Sequence, residues 1–158
     1  MKIQSYSDEY KNQVIELVFD ILENEFGHHS KNGRPDVKNI SKFYQKDKNN
    51  NFWIAIDENN NIVGTIAIFD LGEGWGNLRR LYVKKEFRKM GLAQDLFSAF
   101  LKFAKDKKYN RIFLSTWNEA IAAQKFYKKN GFVKIKSLPE RILWTTSKDT
   151  IFYELELK

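Results

Sequence analysis

The stretch from Leu78 to Trp117 constrains the fold more than any other part of the chain. A strand pattern over Asn77 to Val83 leads through a glycine-bearing turn into Ala93, Leu96, Phe97, Phe100, Leu101 and Ala104, whose spacings of three and four lay one apolar stripe along a helix. Arg111 to Trp117 then reads as a short buried strand. Strand, helix and strand in this order form a crossover unit, so the two strands run parallel within one sheet.

The rest of the chain predicts antiparallel neighbours. Ile3 to Tyr6 reads as a first strand, and Val14, Leu17, Val18, Ile21, Leu22 and Phe26 recur at helical spacing. Gly27 to Pro35 reads as an exposed loop, and Asp36 suits the cap of a second helix through Tyr44. Phe52 to Ile56 and Ile62 to Phe69 flank Asp57 to Asn61, a polar cluster fit for a hairpin turn. Leu71 to Gly76 reads as a loop. Ala120 to Lys129 is a helix stopped by Asn130 and Gly131, Phe132 to Lys136 a strand, and Ile151 to Leu157 a closing strand. The fold class is α/β, with a mixed, mostly antiparallel sheet of about seven strands, a central parallel pair and about four helices. At 158 residues and 42% hydrophobic, the chain has material for one core, so residues 1–158 are expected to form a single domain.

Composition narrows the function classes. The absence of cysteine rules out disulfides and thiolate metal sites and suits a reducing, cytoplasmic setting. No apolar run approaches the ~20 residues that cross a bilayer, so no membrane association is expected. Lysine and arginine exceed aspartate and glutamate by 27 to 20, giving +7, but the lysines are scattered as on a solvated surface. A nucleic-acid-binding reading draws on that charge but finds no basic aromatic motif, so no nucleic-acid partner is expected.

The turn itself points to an anion. From Val83 the chain runs through Arg88, Lys89, Met90, Gly91, Leu92 and Ala93 into the helix. Small residues at 91 and 93 clear the way for backbone N–H groups to converge, and the helix start adds its positive dipole end. Lys84, Lys85, Arg88 and Lys89 reinforce that field. The wording Arg-x-x-Gly-x-Ala is neither the dinucleotide Gly-x-Gly-x-x-Gly pattern nor a Walker loop, which implies another phosphate-bearing ligand.

With Leu78-Arg79-Arg80-Leu81-Tyr82-Val83 before this turn, and Ala122-Ala123-Gln124-Lys125-Phe126-Tyr127-Lys128-Lys129-Asn130-Gly131-Phe132 after it, the chain resembles the GNAT acyltransferases over nearly its whole length. The resemblance implies that the two parallel strands splay to admit coenzyme A. Amides from Arg88 to Ala93 then hold its pyrophosphate, Leu81 and Val83, either side of Tyr82, offer main-chain groups to the pantetheine arm, and Thr116 and Asn118 lie near its path. It implies direct transfer of an acetyl group from acetyl-CoA to a primary amine of a small molecule or peptide. A non-catalytic acyl-CoA-binding or sensor module is the alternative, and self-association as a homodimer is open.

Such chemistry needs an uncharged amine, oxyanion stabilisation and a proton for the departing thiolate. An amine of pKa ~10.4 is neutral in only about one molecule in a few thousand at pH 7. The resemblance assigns the proton donor to Tyr127, whereas its spacing from Ala123 and its place beside Phe126 also fit a packing role. Relatives often carry glutamate where Asn77 stands, and asparagine cannot accept a proton. Glu73, Asp36, His28, His29 and Glu140 remain as bases, with a water relay or a base from the acceptor loop ahead of any single residue. No metal site is expected, since adjacent histidines such as His28 and His29 seldom chelate one ion alone. Phe26 to Asp36 could contribute to the acceptor pocket, or Arg34 and Asp36 could simply anchor the second helix. Trp75 and Trp144 fit either an acceptor groove or ordinary packing, and Asn118 also suits a helix cap.

Overall fold

The computed structural model describes residues 1–28, 33–140, 142 and 150–158. The core of the fold, among the described residues, is a seven-stranded sheet in the order β1-β2-β3-β4-β5-β7-β6, built from β1 (Lys2–Ser5), β2 (Asn51–Ile56), β3 (Ile62–Gly72), β4 (Trp75–Val83), β5 (Arg111–Trp117), β6 (Val133–Ile135) and β7 (Thr150–Glu156). Among the described residues only β4 and β5 are parallel; every other pairing is antiparallel. The helices are α1 (Lys11–Asp20), α2 (Pro35–Lys38), α3 (Ile40–Tyr44), α4 (Leu92–Asp106) and α5 (Ile121–Lys129).

Strand alternation divides the apolar side chains between the two faces of the sheet. Phe52, Ile54 and Ile56 of β2 join Val14, Leu17, Val18 and Tyr44 from α1 and α3 in one core. Trp53 and Ala55, facing the other way, join Leu96, Phe97 and Phe100 of α4 in the second. Of the stripe expected on α4, Leu96, Phe97, Phe100 and Ala104 are buried, Ala93 and Leu101 are half-buried, and Leu92 joins the buried set.

Three local expectations are corrected. The second helix breaks at Asn39 (φ −144°, ψ 68°) into α2 and α3, which raises the helix total above four. Asp36 does not cap it: Arg34 is the residue before the first turn, and the Asp36 side chain turns toward β4. The loop expected over 71–76 contracts to Glu73 and Gly74 between paired Gly72 and Trp75. Both tip residues have positive φ, 54° and 82°, the conformation that matches the twist of adjoining strands. A Cβ on Gly74 would lie 2.4 Å from Asn110 Nδ2, so the tip also needs glycine for space. The turn between β2 and β3 forms as expected, with Asp57 Oδ1 accepting from the amides of Asn59 and Asn61 at 2.9 Å.

Among the described residues no helix is long and apolar enough to cross a membrane, and no group of three or more His, Cys, Asp or Glu is placed to hold a metal ion.

Candidate active site

The parallel strands part company after three residue pairs. Trp75, Gly76 and Asn77 of β4 lie beside Arg111, Ile112 and Phe113 of β5, and then the pairing stops while β5 continues along β7. Asn77 closes the fork: 2% exposed, it donates its amide Nδ2 to the Phe113 carbonyl at 3.0 Å and to that of Leu78 at 3.1 Å. Beyond it opens a cleft of about 520 Å³, walled by residues 77–82 of β4, residues 115–117 of β5, Ala123 and Tyr127 of α5, and Phe26.

A bulge shapes the β4 wall. Tyr82 pairs with Thr65 and Arg79 with Ala67, so Arg80 and Leu81 together oppose Ile66. Arg80 takes φ 54°, and the buried Thr65 hydroxyl donates to its carbonyl at 2.7 Å. In a regular strand successive side chains leave on opposite faces. Here both arginines reach Asp36. Arg80 binds it through Nε at 2.9 Å and Nη2 at 2.7 Å, Tyr44 donates its hydroxyl at 2.6 Å, and Arg79 Nη2 stands 3.6 Å away. Burial pushes the Asp36 carboxyl upward, but the Arg80 hydrogen bonds and charge, the Arg79 charge and the Tyr44 hydroxyl outweigh it and hold the group down at about 2. As a base at neutral pH, Asp36 is therefore weak.

The turn after β4 is anchored at its start and open at its end. Lys84 ties it to β3 by donating its amide to the Val63 carbonyl at 2.8 Å, Lys85–Phe87 make a 3-10 turn, and Lys89 and Gly91 have φ 64° and 82°. A Cβ on Gly91 would meet nothing within 4 Å, so glycine serves the backbone angle there while the space beside it stays open. The opening amides of α4, from Leu92 and Ala93 onward, have no carbonyl one turn earlier to bind. Met90 is exposed. Arg88 is more committed than its sequence position suggests. Its guanidinium grips the Glu25 carboxylate at 2.6 and 2.7 Å, its Nε binds the Val83 carbonyl at 2.9 Å, and its own amide donates to Lys85 at 3.3 Å.

Tyr127 both packs in the core and borders the cleft. Its ring packs against Phe126, Phe132 and Tyr153 at centroid distances of 5.8, 5.5 and 6.1 Å, and the residue also lines the cleft. Burial, with a smaller contribution from nearby Tyr82, pushes its phenol well above the ordinary value, so it holds its proton throughout the neutral range. Leu81, Tyr82 and Thr116 line the cleft, as does Trp117, which the sequence did not single out.

Phe26 and His28 reach the far wall from the end of α1, which widens into a π turn over Ile21–Glu25. Phe26 lies 5.4 Å from the Trp117 ring, and His28 meets that ring edge-on at 4.3 Å with its Nε2 3.5 Å from Glu119. Among the bases considered, His28 is thus brought to the cleft rim. Glu73 lies at the hairpin tip, Glu140 is exposed, and His29 lies outside the described residues, as does Trp144. Trp75 packs against Phe113 with the rings tilted by 58° and centroids 5.0 Å apart, at the closed end of the fork. Asn118 does not cap α5; Gln124 reaches back instead, donating to the carbonyls of Trp117 at 2.8 Å and Asn118 at 3.1 Å.

The family model described as the acetyltransferase (GNAT) family matches residues 15–132, which takes in α1, the fork, the turn and α5. The chain belongs to that family. A GNAT-family acetyltransferase from Staphylococcus aureus Mu50 is 32% identical, with 99% of both chains covered and a TM-score of 0.91. Human N-acetyltransferase 8 is 32% identical over 103 residues, 63% of this chain and 45% of that protein. The chain spans about half the length of the curated relatives it matches. At 20% identity the PaiA N-acetyltransferase of Thermoplasma acidophilum, solved in complex with coenzyme A, shares the fold, with a TM-score of 0.74 and 99% and 98% of the chains covered.

Proposed function

We propose that this GNAT chain, as one domain over residues 1–158 in a cytoplasmic setting, transfers an acetyl group from acetyl-coenzyme A directly to a primary amine of a small molecule or peptide. The observation that carries this reading is the continuity of the splayed cleft with the Gly91 turn along a single strand, β4. The residues fit the co-substrate: unpaired helix-start amides beside open space suit a diphosphate, and a strand that has lost its neighbour suits an extended amide-bearing arm. Residues 89–93 would hold the diphosphate, and the main chain of Leu81 to Val83 the arm. Bound there, acetyl-coenzyme A supplies an activated thioester.

The protein's own groups supply the rest. Tyr127, protonated and facing the cleft, donates to the leaving thiolate. Asn77 supplies no base, because its amide is spent on two carbonyls. Proton removal from the amine falls to water, with His28 at the rim as the side chain best placed to receive it. The test is thiol release from acetyl-coenzyme A across a broad amine panel, with mass spectrometry of the products. Transfer to none of them, with coenzyme A still bound, would favour the non-catalytic binding module that Asn77 also suits.

Glu25 gives a separate handle on the turn. Because it occupies the Arg88 guanidinium, Glu25→Gln is expected to free that cation and tighten coenzyme A about two- to fivefold at low salt, the range of an exposed ion pair. Calorimetry of coenzyme A binding checks it, and unchanged or weaker affinity would reduce Arg88 to fixing the end of α1.

A further inference from the structure

We infer that the acceptor is a small amine carrying a carboxylate, held by Arg79; this rests on the acetyltransferase reading above. Among the described residues the cleft wall contains two charged residues, Arg79 and Arg80, and both are cationic. Behind them stands one carboxylate, Asp36, 2% exposed. That carboxylate is taken: Arg80 occupies both of its oxygens and Tyr44 adds a third bond. Arg79 is left at 3.6 Å, beyond hydrogen-bond reach, and donates no hydrogen bond among the described residues. Its side chain keeps 27% of its surface exposed. A guanidinium forked for bidentate recognition therefore lines the cleft where, among the described residues, two cations share one carboxylate.

Two sources of anion compete for it, and position separates them. The phosphate turn begins after Val83, roughly 13 Å of strand beyond Arg79, so the diphosphate and Arg79 serve different ends of the cleft. The acceptor end is taken as the one where Phe26 and His28 meet Trp117, away from the turn. The same field disfavours polyamines and aminoglycosides, whose second positive charge would meet Arg79. The β4 bulge is what creates the specificity, since it brings the side chains of Arg79 and Arg80 to a single carboxylate and leaves the first of them spare.

The test uses glycine, alanine, methionine, phenylalanine and aspartate, each as the free acid, the α-carboxamide and the decarboxylated amine, with acetyl-coenzyme A and the full chain. The acids are expected to exceed their amides and amines at least about tenfold in kcat/KM. Arg79→Gln is expected to abolish that preference by slowing the acids alone, Arg79→Lys to restore part of it, and coenzyme A affinity by calorimetry to stay constant in all three proteins. Transfer without preference for the acid, or a preference that survives Arg79→Gln, overturns the carboxylate site and leaves the transferase reading standing. If coenzyme A binds but nothing is acetylated, the transferase reading falls, and calorimetry of the same acids and amides with the coenzyme A complex decides the site: acid-selective binding upholds it, equal or absent binding overturns it.

Discussion

Asp36→Ala is expected to destabilise the protein by about 3–5 kcal/mol, the cost of removing one partner from a buried ion pair. The loss is large because the Arg80 side chain, 14% exposed, would keep its charge with no acid beside it, and the Tyr44 hydroxyl would lose its acceptor inside the core. A urea titration checks this through the midpoint at unchanged slope; a loss below about 1 kcal/mol would mean that water already reaches these groups. The same carboxyl sets an acid limb. Its folded value of about 2 lies below the unfolded 3.8, so its contribution is complete above about pH 5 and drains away as pH falls through about 4 toward 2. The linked loss is about 2 kcal/mol for a shift of this size, and it should vanish from the pH–stability curve of Asp36→Asn.

Tyr127→Phe is expected to lower turnover about 10²-fold or more while coenzyme A affinity changes little, the signature of a proton donated in the transition state. The ring contacts with Phe126, Phe132 and Tyr153 survive the substitution, so lost folding is not expected to mimic the effect. Since burial raises the phenol, the wild-type pH–rate profile should show no loss of activity from this group up to pH ~10. Turnover equal to wild type would leave Tyr127 a packing residue and place the donor elsewhere.

What could be read in advance follows the range of the interactions. The α4 stripe, the hairpin at 57–61 and the Gly91 turn are written in neighbouring residues, through helical spacing, an Asx turn and a positive φ. The groups that furnish the cleft are not local. Asp36 meets Arg80 across 44 positions and Glu25 meets Arg88 across 63, and no pattern within either segment announces its partner. Asp36 beside a proline has the look of a helix cap, whereas its side chain is held by Arg80 and Tyr44. Trp117 escaped notice because an aromatic closing a buried strand looks like core; the loop carrying Phe26 makes it a cleft wall.

Asn77 restricts how this family member could acquire an ionisable group at the fork. A glutamate in its place would aim oxygen, not an N–H, at the carbonyl of Phe113, and lone pair facing lone pair is tolerated only if the newcomer stays neutral. Grafting an acid onto this scaffold at position 77 is therefore self-defeating until Phe113 finds another donor, which makes the asparagine a lock rather than a gap waiting to be filled.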